Sequence, residues 1–120
     1  VARHQVHPSL RAVLQKTELL AQDLQGLEGV FDVIINASAS SLAGSAVPVD
    51  SRVLKPGALA YDLMYGPMAA GFMAWALENG AVARDGLGML VEQAAEAFAL
   101  WRGVRPPAAL VLQEMRARPA

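Results

Sequence analysis

The apolar positions of this 120-residue chain alternate between a strand-like and a helix-like spacing. The clearest strand covers residues 31–36, where β-branched residues leave too few polar positions for either face to lie in water. A second strand is predicted at residues 58–64, after a turn at residues 55–57 that follows a helical turn at 49–54. A short third strand is predicted at residues 81–83.

Helical spacing is clearest from Asp85 to Trp101, the longest amphipathic segment of the chain. Its apolar stripe consists of Leu87, Leu90, Val91, Ala94, Ala97, Phe98 and Trp101. Glu92 and Glu96 lie on the opposite, solvated face. Further helices are predicted at residues 72–79, which Gly80 ends, and at residues 108–116, after two prolines.

Gln93 belongs to neither face of the long helix, because it lies on the flank near Met89, Ala97 and Leu100. One interpretation is a helix packed on both sides, with a hydrogen-bonded amide among apolar neighbours. The other is a helix that lines a cleft and directs Gln93 at a polar ligand. Asp85 is placed to cap this helix, and Gly86 allows a close approach of backbone or ligand to its N-terminus.

The N-terminal segment has helical spacing from Pro8 to Leu24 and ends at Gly26 and Gly29. His4 and His7 precede it, three residues apart. Since no carboxylate lies close to them, a solvated end is favoured over a metal site, and no metal ligand is predicted.

Composition limits the classes of function. The formal net charge is −1, which favours neither a nucleic-acid partner nor an anionic membrane. The absence of Cys excludes disulfides and thiolate chemistry and fits a reducing cytoplasm. No apolar run is long enough to span a bilayer, and no signal-peptide pattern precedes the domain. Because the chain starts at Val1, a processed or cut product is expected.

A polar turn, Ala37-Ser38-Ala39-Ser40-Ser41, follows the first strand. In open α/β sheets, ligands bind beyond the carboxyl ends of parallel strands, and this turn is expected there. The alternative is a serine-rich connector that satisfies its own backbone.

Three ordered stretches together resemble shikimate dehydrogenases. The stretch from Asp85 to Phe98 is similar to the C-terminal signature of that family. Ile34-Ile35-Asn36-Ala37-Ser38-Ala39-Ser40 resembles its Asn-Ala-Thr-Ser turn, and Tyr61-Asp62-Leu63-Met64-Tyr65 resembles its Tyr-Asp-Met-x-Tyr strand end. The resemblance covers about residues 30–113; for the poorly matching start it favours a strand at 10–14 and a helix at 18–25.

The resemblance implies NADP-dependent, reversible reduction of 3-dehydroshikimate to shikimate. It places cofactor contacts at Asn36, Ala37, Ser38, Leu63, Gly86 and Met89. It places substrate contacts at Tyr65 and Gln93. The Lys and Asp used for proton transfer in the family lie in a substrate domain that has no counterpart here. Lys16 and Lys55 lie in no matching motif, so no catalytic residue is predicted.

Strands that alternate with helices predict an α/β fold, a partial Rossmann-like parallel sheet of about three strands with flanking and C-terminal helices. Residues 1–86 are expected to form an incomplete NADP-binding domain, since the Gly-rich phosphate loop is absent. Residues 87–120 are expected to form helices that pack toward the missing substrate domain.

The predicted function is therefore that of a C-terminal part of shikimate dehydrogenase, inactive alone, that self-associates or pairs with a complementary N-terminal half. A noncatalytic α/β interaction module is the alternative. Shikimate or quinate, and NADP or NAD, both remain open.

Overall fold

The structure is a computed structural model that describes residues 22–39, 47 and 49–118. The strands in this part of the chain form one parallel sheet and are β1 (Phe31–Asn36), β2 (Leu54–Asp62) and β3 (Val82–Arg84), in that order. The α-helices are α1 (Ala70–Glu78), α2 (Leu87–Arg102) and α3 (Ala108–Ala117). Short 3-10 helices cover Ser51–Val53 and Gly66–Ala69. The predicted α/β class and partial parallel sheet are confirmed.

The predicted N-terminal helix lies mostly outside the described residues, as do His4, His7 and the alternative strand at 10–14. The last turn expected for this helix, at residues 22–25, does lie within the described residues, and that expectation is wrong. Residues 22–25 form a bend and the start of a turn, and Gly26 adopts a left-handed φ of 80°.

The expected turn at residues 55–57 is instead an irregularity within β2. Phe31 pairs with Leu54 and Val33 pairs with Leu59, so β1 advances two residues while β2 advances five. Gly57 accommodates the extra chain with a φ of 76°, and its N–H donates to the carbonyl of Gly80 at 3.0 Å. β2 therefore starts four residues earlier than predicted and ends at Asp62 rather than at Met64.

Helix α1 covers one face of the sheet. Phe72 and Ala76 of this helix pack with sheet residues into a buried cluster that also contains Leu54, Ala58, Ala60, Ala81 and Ala83. The Phe72 and Trp75 rings lie 5.6 Å apart between centroids. The small side chains of the strands let the helix approach the sheet closely.

The described residues leave the opposite face of the sheet largely exposed. Val33, Ile35 and Val82 share it by register, and Ile35 is 59% exposed. The expectation that both faces of the first strand avoid water is therefore wrong for this chain. A β-branched run reports a preference for burial, but a covering element must also be present.

The apolar stripe predicted for α2 is only partly buried. Leu87, Val91 and Ala95 are buried, although Ala95 was not in the predicted stripe. Phe98 and Trp101 are exposed, Trp101 by 79%, as is Leu90. α3 packs against the start of α2 and buries none of its own residues completely. No helix among the described residues is both long and apolar enough to cross a membrane.

Phe72→Ala should lower the free energy of unfolding by about 3–5 kcal/mol, because it removes a buried ring from an otherwise alanine-rich core. Urea unfolding followed by tryptophan fluorescence measures this. Leu77→Ala, on the exposed side of the same helix, should change stability by less than about 0.5 kcal/mol. Equal losses in the two variants would contradict the packing of α1 on the sheet.

Candidate functional site

The candidate site lies at the edge where β1 and β2 end together. Asn36 is the last residue of β1 and Asp62 is the last residue of β2, and the two are paired in register. Asn36 Nδ2 donates to Asp62 Oδ2 at 3.3 Å. A side-chain hydrogen bond therefore joins the two strand ends at the edge where parallel α/β sheets bind ligands.

The turn after β1 folds back onto Asn36. The backbone N–H of Ser38 donates to Asn36 Oδ1 at 3.1 Å, and the Ser38 hydroxyl donates to the same oxygen at 2.6 Å. Both Ala37 and Ser38 are exposed, while Ser40 and Ser41 lie outside the described residues. This is an Asx turn, so the connector does satisfy part of its own backbone, as the structural alternative supposed.

The segment after β2 is held by backbone and side-chain acceptors from both strand ends. Leu63 N–H donates to the Asn36 carbonyl at 3.1 Å, and Met64 N–H donates to Asp62 Oδ1 at 2.9 Å. Because the strand ends at Asp62, strand alternation does not apply to the next three residues, Leu63 to Tyr65. Leu63 is half-buried and Tyr65 is 46% exposed.

Gly86 fixes the start of α2 against this segment. Its N–H donates to the Met64 carbonyl at 2.8 Å. A Cβ at Gly86 would lie 2.1 Å from the Leu63 carbonyl oxygen and 2.6 Å from the Leu63 carbonyl carbon. Its φ of −81° is open to any residue, so the requirement for glycine comes from the close approach and not from backbone conformation.

Asp85 and α3 hold the same helix end from the other side. Asp85 Oδ1 accepts the Leu87 N–H at 3.3 Å and so satisfies one donor of the first turn, although the N-cap position itself is Gly86. Arg116 Nη2 lies 3.0 Å from the same oxygen, and the Asp85 side chain is 13% exposed. A Cβ at Gly88 would lie 3.9 Å from Leu112 of α3, so α3 crosses the first turn of α2.

The interpretation that Gln93 is packed among apolar side chains on a helix covered on both sides is wrong. Its side chain is exposed, and so are those of Leu90, Ala94 and Leu100. The second apolar wall inferred from the sequence is therefore absent from the described part of this chain. Met89, one turn earlier, is half-buried.

The shifted pKa values belong to surface pairs. A hydrogen bond to Glu96 raises the pKa of Arg105, which also pairs with Glu92, and a hydrogen bond to Asp32 raises the pKa of Lys55. The backbone N–H of Arg52 lowers the pKa of Asp50. Among the described residues, no group of three or more His, Cys, Asp or Glu side chains is arranged to hold a metal.

Of the predicted site residues, the structure links Asn36, Ser38, Leu63 and Gly86 through direct or shared backbone contacts. It shows no direct hydrogen bond from these to Tyr65, Met89 or Gln93 within the described residues. Sequence reasoning overlooked Asp62 as a site residue. The available signal was an acidic residue near the end of a predicted strand.

Gly86→Ala should lower the free energy of unfolding by about 1–3 kcal/mol or more, because the new methyl group meets rigid backbone at Leu63. Gly71→Ala is the matched control, since Gly71 lies in α1 with nothing within 4 Å of its added Cβ. The control should be neutral or stabilising by up to about 1 kcal/mol. Chemical denaturation compares the two, and a neutral Gly86→Ala would contradict the close contact.

Comparison with known proteins relates this geometry to a family. The profile of the shikimate 5'-dehydrogenase C-terminal domain matches residues 86–116. The shikimate dehydrogenase (NADP(+)) of Acidovorax sp. (strain JS42) is 71% identical over 106 residues, covering 88% of this chain and 38% of that relative. The enzyme of the same name from Verminephrobacter eiseniae is 63% identical over 119 residues, covering 97% of this chain and 41% of the relative.

Two solved structures are similar to this chain in fold. The Ael1 enzyme from Pseudomonas putida superposes with a TM-score of 0.72 at 44% identity, covering 88% of this chain and 40% of that one. Ligand-free 5-ketofructose reductase of Gluconobacter sp. strain CHM43 gives a TM-score of 0.61 at 28% identity, covering 75% of this chain and 35% of that one. The chain spans about two fifths of the length of the first two curated relatives. It belongs to the shikimate dehydrogenase family and matches the C-terminal part of those enzymes.

Proposed function

We propose that this chain supplies the nicotinamide side of the active-site cleft in an NADP-dependent shikimate dehydrogenase. The proposed reaction is the reversible reduction of 3-dehydroshikimate to shikimate. The observation that carries the proposal is the junction of the β1 end, the β2 end and the α2 N-terminus at one edge of the sheet. Each of these three segments contains residues for which the family resemblance implies a ligand contact.

The residues at this edge fit a dinucleotide. The turn at Ala37 and Ser38 is exposed, and the apolar side chains of Leu63 and Met89 are half-buried. When bound, NADP supplies or accepts the hydride. Leu63 and Met89 provide apolar surface for the nicotinamide end, where exclusion of water favours transfer between the two reactants.

The Ser38 turn is proposed to contact the cofactor. The Ser38 hydroxyl and backbone N–H both donate to Asn36 Oδ1, so the turn is held in one conformation beside the end of β1.

Tyr65 and Gln93 are proposed to bind the substrate. Both side chains are exposed, and a phenol and an amide are suited to hydrogen-bonding the hydroxyl and carboxylate groups of shikimate. In this proposal they orient the substrate, while proton transfer belongs to the Lys and Asp of a substrate domain outside this chain.

The division of labour follows the predicted domains. Residues 1–86 are proposed to act as part of the NADP-binding domain, and residues 87–120 as helices that pack toward the substrate domain. The exposure of Phe98, Leu100 and Trp101 supports this assignment, because apolar side chains of that size favour a covering partner. A cytoplasmic location is proposed with it, as for a biosynthetic dehydrogenase.

Gln93→Ala should lower kcat/KM for shikimate because a substrate hydrogen bond is lost. The decrease should correspond to about 1.5–3 kcal/mol of lost transition-state stabilisation. The assay uses a joined protein, in which this chain replaces the matching part of the Acidovorax relative. Gln93→Leu should lose as much, because it keeps the volume and removes the amide.

Gln113→Ala is the control, because Gln113 is an exposed amide on α3 for which no ligand contact is proposed. It should leave kcat/KM unchanged. Unchanged kinetics in both Gln93 variants would remove Gln93 from the substrate site, and an inactive joined protein would refute the proposed function.

Alone, the chain should show no NADP-linked shikimate oxidation and should elute larger than a monomer in size-exclusion chromatography. Its exposed C-terminal apolar side chains favour association, and Leu100→Gln with Trp101→Gln should shift it toward the monomer. Leu77→Gln, an exposed leucine of α1, is the control and should leave elution unchanged.

Adding the N-terminal part of the relative as a separate polypeptide should restore some activity. A monomeric chain that oxidises shikimate unaided would contradict this division of labour. The alternative, a noncatalytic α/β interaction module, predicts association in the same experiment but no recovery of activity with the N-terminal part.

A further inference from the structure

Asp62 is the buried polar side chain of the described residues, with an exposed fraction of 0%. Its two carboxyl oxygens serve different segments. Oδ1 accepts the backbone N–H of Met64 at 2.9 Å, and Oδ2 accepts Asn36 Nδ2 at 3.3 Å. One side chain therefore contacts both the end of β1 and the segment that leads to Tyr65.

The polarity of these bonds is set by a backbone donor. The Ser38 N–H can only donate, so the atom of Asn36 that receives it at 3.1 Å must be Oδ1. Asn36 Nδ2 then points to Asp62, which must accept. Since the Met64 N–H is also a donor, residue 62 needs an acceptor at both positions.

The contacts continue from Asp62 to helix α2. Met64, whose N–H is held by Asp62, accepts the Gly86 N–H through its own carbonyl at 2.8 Å. Gly86 directly precedes α2 and packs on the Leu63 carbonyl. A continuous series of hydrogen bonds thus runs from the Ser38 turn to the start of α2.

We propose that Asp62 is a positioning residue, which couples the Ser38 turn on the cofactor side to the segment that leads to Tyr65 and to the start of α2, the helix that carries Gln93. It acts through the hydrogen bonds that it accepts from Asn36 Nδ2 and from the Met64 N–H, and it does not touch either ligand. The effect on catalysis rests on the proposed function, but the coupling itself does not depend on it.

The first test is Asp62→Asn, which keeps the shape and removes one acceptor. Either orientation of the new amide places its NH2 group against the Met64 N–H or against Asn36 Nδ2. Amide hydrogen exchange of the chain, followed by NMR, should speed up at Met64 and Gly86 on the order of tenfold. The Ala76 amide, in the middle of α1, serves as the internal reference.

The second test exchanges the two residues. In the double variant Asn36→Asp with Asp62→Asn, the new carboxylate at 36 accepts from Ser38 and from the new amide at 62. The new amide oxygen accepts from Met64. Net charge and donor–acceptor polarity are both preserved, so exchange at Met64 and Gly86 should return to within about threefold of the original chain.

Asn36→Asp alone places two carboxyl groups together, and their repulsion should destabilise this edge of the sheet. Asp32→Asn is the matched control. Asp32 lies on β1 and forms an exposed ion pair with Lys55, so its substitution should leave exchange at Met64 and Gly86 unchanged. If Asp62→Asn fails to fold, the double variant still decides: recovery supports the coupling. The proposal is overturned if Asp62→Asn has no effect, or if the double variant is no closer to the original chain than either single change.

The same variants in the joined protein test the consequence for catalysis. Asp62→Asn should raise the KM for NADP and the KM for shikimate together, and the double variant should lower both again. A purely structural role would lower the amount of folded enzyme and leave both KM values unchanged. An inactive unsubstituted joined protein would refute the proposed function, whereas the exchange data would still decide the coupling.

Discussion

The close approach of Gly86 to the carbonyl group of Leu63 is the constraint on which the arrangement of this edge depends. There is no room for a methyl group between them, so the backbone entering α2 lies directly on the backbone leaving β2. The Gly86 N–H and the Met64 carbonyl lock the contact with a hydrogen bond. Because α2 begins at the next residue, the direction of a 16-residue helix follows from this one junction.

Local signals in the sequence predicted the elements well. The β-branched run at residues 31–36 formed the expected strand, and Gly80 followed the end of its helix with a positive φ value, as expected. These outcomes depend on conformational preferences over a few neighbouring residues. The irregularity at residues 55–57 was read as a turn, because a Pro-Gly pair indicates a break without showing that pairing resumes in the same strand.

Burial was harder to predict, for a different physical reason. Periodicity identifies the side chains that favour an apolar environment, but not the element that provides it. Ile35 and Trp101 both belonged to predicted apolar faces, and both are exposed. The site residues came from the family resemblance. The link between Asn36 and Asp62 joins residues 26 positions apart, which no local pattern specifies.

The core that does form is built largely from alanine. Ala58, Ala60, Ala76, Ala81 and Ala83 bring α1 close to the sheet, while Leu54 and Phe72 supply the large side chains. Small side chains remove little apolar area from water. Their packing therefore sets the close distance between α1 and the sheet more than it adds to the free energy of folding. Parallel sheets are normally covered on both faces, and the face with Val33 and Ile35 is the one that the described residues leave exposed.

The irregularity in β2 also has a consequence for which insertions and deletions the strand can accept. Side chains alternate between faces, so the parity of the chain length between Leu54 and Leu59 decides how the two halves of β2 are oriented. The three extra residues there allow Leu54 and Ala60 to enter the same core. A change by two residues keeps that relation, whereas a change by one turns either Leu54 or Asp62 to the opposite face. Among related proteins, insertions and deletions between these two positions of β2 are therefore expected to involve even numbers of residues.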